Sequence, residues 1–170
     1  RVALLVEPSA DLTASIYALW RAGAVVVVAD KGLGLAGMRR ALRSAAVDHV
    51  VGSEAGLAAA RLMGLPGSRF AASRRRLRVL GTVRTLDALE ALGRHAPAPP
   101  ECPVDADCAV LFTSGATGPA KGVVYTHRQA AAQQPELARP ARSDRGLRDR
   151  ARGEGVVDRP LVVVRERIEA

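Results

Sequence analysis

Lysine is almost missing from this chain: Lys31 and Lys121 stand alone among 25 basic residues, the rest being arginine. Arginine, alanine, glycine and valine dominate instead, the residue choice of GC-rich coding DNA, so the net charge of +8 is weak evidence for a partner. Aromatic residues make up only 3%, too few to stack bases, and the arginines crowd into Arg69–Arg84 and the tail beyond Arg139 rather than striping a helix. A nucleic-acid partner is therefore not expected. The two cysteines, Cys102 and Cys108, have no His or Cys companions at metal-ligand spacing and read as free thiols; no metal site is expected. No apolar run approaches the ~20 residues needed to cross a bilayer, and no signal-peptide pattern is present. A cytoplasmic protein with no membrane span is the expectation.

What is present is 48% apolar residues in 170, enough for one domain with a real core or part of a larger one. Arg1 runs straight into the strand-like Val2–Val6, which suggests a beginning cut from a longer chain. Leu12, Ile16, Leu19 and Trp20 then recur at helical spacing over Asp11–Arg21, with Asp11 as N-cap and Gly23 as stop. Ala24–Ala29 is a second strand with four consecutive valines, and its composition predicts burial on both faces. A helix over Leu35–Ala46 and a short strand at His49–Val51 follow. The first 65 residues thus read as two βα units and the start of a third, giving an α/β class with a layered parallel sheet and flanking helices. A chain this short is expected to leave the valine strand without covering neighbours.

From Pro66 to Arg76 the chain reads as a basic connector, its Arg74–Arg76 run as a solvated loop. Leu77–Leu80 reads as a strand and Thr85–Leu92 as a short helix. Pro97, Pro99, Pro100 and Pro103 impose an extended loop. Strands at Cys108–Phe112 and Val123–Tyr125 bracket a loop of hydroxyl and glycine residues. Periodicity ends near Gln134, and residues 135–170 form an arginine-rich tail for which disorder is the expectation.

The loop from Thr113 to Lys121 carries the chemistry. Gly115, Gly118 and Gly122 let the backbone turn and bring N–H groups close to a ligand. Thr113, Ser114 and Thr117 add hydroxyl donors, and Lys121 supplies a cation for phosphate oxygens. Ala120 and Gly122 flank the lysine, so the segment is not a Walker A loop.

Phe112-Thr113-Ser114-Gly115-Ala116-Thr117-Gly118-Pro119-Ala120-Lys121-Gly122-Val123 resembles the signature of the AMP-binding, adenylate-forming superfamily of acyl-CoA synthetases, luciferases and peptide-synthetase adenylation domains. With Val124-Tyr125-Thr126-His127 it is most similar to fatty-acyl ligases of the olefin β-lactone synthetase type. Arg21-Ala22-Gly23-Ala24-Val25 and Ala29–Leu35 resemble the same family's strand-turn-helix step. The likeness covers residues 1–134, as the N-terminal part of the adenylation domain. It implies ATP and Mg²⁺ as cofactors, a carboxylic acid and CoA as partners of the full-length enzyme, and an acyl-adenylate intermediate. It further implies that Thr113, Ser114, Gly115, Ala116, Thr117, Gly118 and Lys121 bind the nucleotide. Ala116 stands where the family has Ser or Thr, and a lost hydrogen bond to phosphate weakens binding by about 1.5–3 kcal/mol. Ala120 stands where the family has Pro.

Beyond Gln134 the adenine, ribose and C-terminal lysine motifs of that family are missing. The chain alone is therefore expected not to adenylate, and no residue is assigned a catalytic role. Two alternatives stay open: a non-catalytic nucleotide-binding remnant, and a dinucleotide site at Gly32-x-Gly34-x-x-Gly37. Against the latter, the turn follows the second strand, and Glu54, its ribose acceptor, is expected to lack a clear preceding strand. His127 reads as a helix-start or surface residue, and His49 and His95 as structural.

Overall fold

A computed structural model describes residues 1–73, 78–112 and 120–137, with backbone alone for 134–137. The first third alternates strand and helix: β1 (Val2–Leu5), α1 (Ala10–Arg21), β2 (Val26–Ala29), α2 (Gly34–Ser44), β3 (His49–Gly52) and α3 (Glu54–Leu62). Three complete βα units are present, not two and a fraction. The cap of α1 is Ser9, whose hydroxyl accepts from Leu12 N at 3.2 Å. Asp11, expected in that role, falls inside the first turn, where its charge faces the helix dipole instead. Gly23 does end the helix, at φ +74°, with its amide on the Trp20 carbonyl at 3.0 Å.

The stretch expected to be a connector contains a strand, β4 (Arg69–Ala71). Three residues with an arginine first carry no strand pattern; β4 exists because β3 pairs with it, Val50 beside Arg69 through Gly52 beside Ala71. The strand expected at Leu77–Leu80 is a 3₁₀ turn over Arg78–Leu80, with Leu77 outside the described residues. Gly81, at φ +71°, separates that turn from the true strand β5 (Thr82–Thr85). Helix α4 (Leu86–Gly93) is capped by Thr85, and β6 (Asp107–Phe112), β7 (Gly122–Thr126) and α5 (His127–Leu137) follow. The bracketing strands of the loop are thus real. The tail from 138 to 170 lies outside the described residues.

The seven strands form one sheet in the order β5-β4-β3-β1-β2-β6-β7, parallel except for β7. Side chains alternate across it. Ala3, Leu5, Val27, Ala29, Val110 and Phe112 face a core with Met38 and Leu42 of α2 and Leu57 and Ala60 of α3. Val2, Leu4, Val26 and Val51 face the other way, beneath Leu12, Ile16, Leu19 and Trp20 of α1. Fully buried leucines such as Leu42 and Leu57 each contribute about 1.5–3 kcal/mol by leaving water. The valine strand is therefore covered after all, with β1 and β6 at its sides and helices on both faces. The sequence-based worry about missing neighbours fails because β6, eighty residues on, closes that side.

Candidate functional site

Parallel pairing brings the carboxyl ends of β1, β2, β3 and β6 to one end of the sheet, together with the starts of α1, α2 and α3. Ligands of open α/β sheets bind at such ends. The loop after β6 leaves from this end and returns as β7, and the pair Phe112 and Gly122 closes its base. A backbone bond from Asp30 N to the Phe112 carbonyl, 3.1 Å, ties the base to the end of β2. The Asp30 carboxylate is turned back onto its own chain, accepting from Gly32 N at 2.9 Å. Sequence reasoning passed over Asp30, since nothing local announces a bond to a residue eighty positions away.

Of the residues expected to hold a nucleotide, Lys121 is described: it is exposed, one residue before the pair that closes the loop. Its neighbour Ala120 packs against the main core. Thr113, Ser114, Gly115, Ala116, Thr117 and Gly118 lie outside the described residues. At the same end of the sheet, the Glu7 carboxylate forms an ion pair with Lys31 Nζ at 3.6 Å, an exposed pair worth little by itself. A hydrogen bond from the Ser53 hydroxyl, then its own backbone amide, holds the Glu7 carboxyl below its ordinary range, with Lys31 adding to the effect. Ser53 also caps α3, accepting from Gly56 N at 3.2 Å.

The return side of the loop is braced by α5. Thr126 N donates to Gln129 Oε1 at 2.9 Å and Gln129 N to Thr126 Oγ1 at 3.3 Å. This is a reciprocal capping box, legible as T-x-x-Q but missed in the sequence. Arg128 grips Asp105 through two bonds of 2.8 and 3.1 Å, and the guanidinium holds the Asp105 carboxyl below its usual value. His127 begins α5, as expected, and its ring meets Trp20 edge-on at 5.9 Å. Trp20 in turn donates from Nε1 to the Cys108 carbonyl at 2.9 Å, and the Cys102 thiol donates to the Trp20 carbonyl at 3.3 Å. Both cysteines are free, as expected; burial, aided by Asp107, pushes the Cys108 thiol up to about 11.

The rival glycine pattern is structural. Gly34 takes φ +62° at the start of α2, and a side chain at Gly37 would crowd Leu33 Cβ at 3.0 Å. Glu54 does follow a strand, β3, contrary to expectation, but it sits exposed at the start of α3. Among the described residues no group of three or more His, Cys, Asp or Glu could hold a metal, and no helix is long and apolar enough to cross a membrane. A cleft of about 310 Å³ lined by Leu42, Arg43, Val47 and Pro66 lies at the opposite end of the sheet from the loop, where α2 and α3 finish.

The profile of the AMP-binding enzyme family matches residues 1–151. This chain belongs to the AMP-binding enzyme family. Within the family it is 36% identical over 137 residues to an olefin β-lactone synthetase of Stenotrophomonas maltophilia. It is 32% identical over 139 residues to one of Xanthomonas campestris. Each alignment takes 78% of this chain and 24% of the relative, so the chain spans about a quarter of their length. Solved structures share the fold. The A domain of a carboxylic acid reductase from Segniliparus rugosus, in complex with AMP and a carboxylic acid, superposes with a TM-score of 0.61 at 22% identity, over 78% of this chain and 24% of that one. A red-emitting luciferase from Phrixothrix hirtus gives 0.64 at 18%, over 82% and 36%. The sheet is therefore that of the N-terminal domain of adenylate-forming enzymes, and the dinucleotide reading is not favoured.

Proposed function

We propose that this chain supplies the triphosphate-gripping loop of an ATP-dependent fatty-acyl ligase, and that alone it binds nucleotide without catalysing adenylation. The observation that carries this is the fixed base of the Thr113–Lys121 loop, held by the Phe112–Gly122 pair and by Asp30 N at the carboxyl end of the parallel strands. Acyl transfer through an adenylate depends on positioning and on neutralising charge on the departing phosphates. In this reading Thr113, Ser114 and Thr117 donate hydroxyl hydrogens, Gly115, Ala116 and Gly118 offer backbone amides, and Lys121 supplies the positive charge. ATP brings the adenylyl group to the carboxylate. Mg²⁺ would arrive with the phosphates, which would supply most of its ligands.

The full-length protein would take a fatty carboxylic acid and pass the acyl group to CoA or a hydroxyl, in the cytoplasm. The division into an adenylation part, 1–134, and an arginine-rich tail, 135–170, belongs to the same proposal. Calorimetric titration of the 170-residue chain with Mg·ATP tests the reading. Binding is expected to fall by about tenfold or more in Lys121→Ala, since a hydrogen bond to a charged group is worth about 1.5–3 kcal/mol. Carboxylate-dependent exchange of pyrophosphate into ATP is expected to be absent. Equal ATP affinity in the unaltered chain and in Lys121→Ala, or tighter binding of NAD than of ATP, would sink it.

A further inference from the structure

Between residues 55 and 86 the chain carries seven arginines, Arg61, Arg69, Arg74, Arg75, Arg76, Arg78 and Arg84, and not one Asp or Glu. Of this stretch, the fold brings the end of α3, the Arg78–Leu80 turn and β5 to one corner. Helix α3 finishes at Leu62 against the Arg78–Leu80 turn, and that turn leads into β5, the outermost strand beside β4. Arg61, Arg78 and Arg84 are exposed there. Among them stand exposed aliphatic side chains: Leu62 is 76% exposed, Val79 87% and Val83 43%. The start of β5 and the end of α3 lie at the amino ends of the parallel strands, so this corner faces away from the nucleotide loop.

We propose that the corner built by the end of α3, the 78–80 turn and edge strand β5 is a docking surface for an anionic phospholipid bilayer. Both halves of its chemistry are then used. Arg61, Arg78 and Arg84 would lie among the headgroup phosphates, and Leu62 and Val79 would reach the boundary of the acyl chains. A nucleic acid would complement the arginines but leave the projecting leucine and valine without a role. It would also want aromatic faces, whereas Phe70, the one aromatic residue between 55 and 86, is half-buried with its ring against His49. A protein partner's hot spot calls for aromatic anchors, with leucine and valine under-represented. This inference stands apart from the acyl-ligase reading, because none of the residues it uses belongs to the Thr113–Lys121 loop or to the strands that close its base.

The test is co-sedimentation of the full 170-residue chain with vesicles of phosphatidylcholine alone, and with vesicles in which phosphatidylglycerol is the minor component. Binding to the second kind only is expected, and it should collapse as salt rises from about 0.1 M to about 1 M and the screening length falls from about 10 to about 3 Å. Each arginine near an anionic surface contributes about a fivefold gain, so the triple variant Arg61→Gln, Arg78→Gln, Arg84→Gln should bind about a hundredfold more weakly. The matching lysine triple should keep its binding, which a purely structural role for the guanidinium groups would not allow. Leu62→Ser with Val79→Ser should weaken binding to phosphatidylglycerol vesicles further. Circular dichroism checks the fold of each variant, and if the glutamine triple unfolds, the lysine triple and the salt titration decide. Equal binding to both vesicle types, no binding to either, undiminished binding by a folded glutamine triple, or retention by duplex DNA or polyglutamate but not by vesicles overturns the proposal.

Discussion

Substituting Gly56 by alanine sets two effects of opposite sign against each other. Gly56 lies in the first turn of α3, where alanine should be better by up to about 1 kcal/mol on helix propensity alone. Its added Cβ, however, would overlap the Leu5 carbonyl oxygen and come within 2.8 Å of Leu5 Cβ and 2.9 Å of Leu5 C. The Leu5 carbonyl cannot move freely, because it accepts from Ser53 N at 3.0 Å, the bond that seats α3 on the end of β1. Overpacking costs about 1–3 kcal/mol, and a strained or lost hydrogen bond adds about 1 kcal/mol. Sterics win, and a net loss of about 1–3 kcal/mol is expected. Urea titration followed by circular dichroism and by the fluorescence of Trp20, the one tryptophan, should show the midpoint falling by about 1 M, given slopes of about 1–3 kcal/mol per M. Gly93→Ala is the control, since a Cβ there meets nothing within 4 Å and should leave the midpoint unchanged or slightly higher. A midpoint for Gly56→Ala at or above that of the unaltered chain would refute the close approach of α3 to β1.

Ser9→Ala should cost about 1 kcal/mol as a lost cap, whereas Asp11→Ala should cost only a few tenths through the helix dipole; urea midpoints compare the two. Trp20→Phe removes the donor to the Cys108 carbonyl and should lower stability by about 1–3 kcal/mol in thermal melts read by circular dichroism. Cys108 is fully buried and its folded thiol is raised from 9.0 to about 11, so its contribution is complete below pH 9. That contribution is lost as pH climbs from 9 to 11, because the unfolded thiol ionises first; the loss reaches at most about 2.7 kcal/mol. Cys108→Ala should flatten that alkaline slope in urea titrations across this range.

The elements that could be read in the sequence are those whose residues answer to one local demand. Val26–Ala29 had to be a buried strand because no other element uses consecutive valines so well, and the α1 stripe of Leu12, Ile16, Leu19 and Trp20 lands on one core as its spacing requires. β4 is the opposite case. Arg69-Phe70-Ala71 has no period of its own, and its strand conformation is imposed by β3 on one side and β5 on the other. The same reasoning explains the misplaced strand before β5: Arg78–Leu80 is as apolar as Thr82–Thr85, and only the positive φ of Gly81 decides which side pairs.

The candidate site divides along the same line. A loop that must approach phosphates needs glycine and hydroxyl residues in itself, so the Thr113–Lys121 segment declares its chemistry locally. What holds such a loop in place need not be local. Its base is set by β2 lying beside β6, Ala29 opposite Phe112, and by the Asp30 amide that follows. Its return is set by the Thr126–Gln129 box and the Asp105–Arg128 pair, which fix where α5 departs. A backbone amide has no residue type, so the Asp30 bond left no trace in the sequence. The capping box did leave one, but a four-residue pattern acquires weight only once a strand is known to end at Thr126. Motif chemistry is therefore legible before the fold, and the positioning of that chemistry is legible only through it.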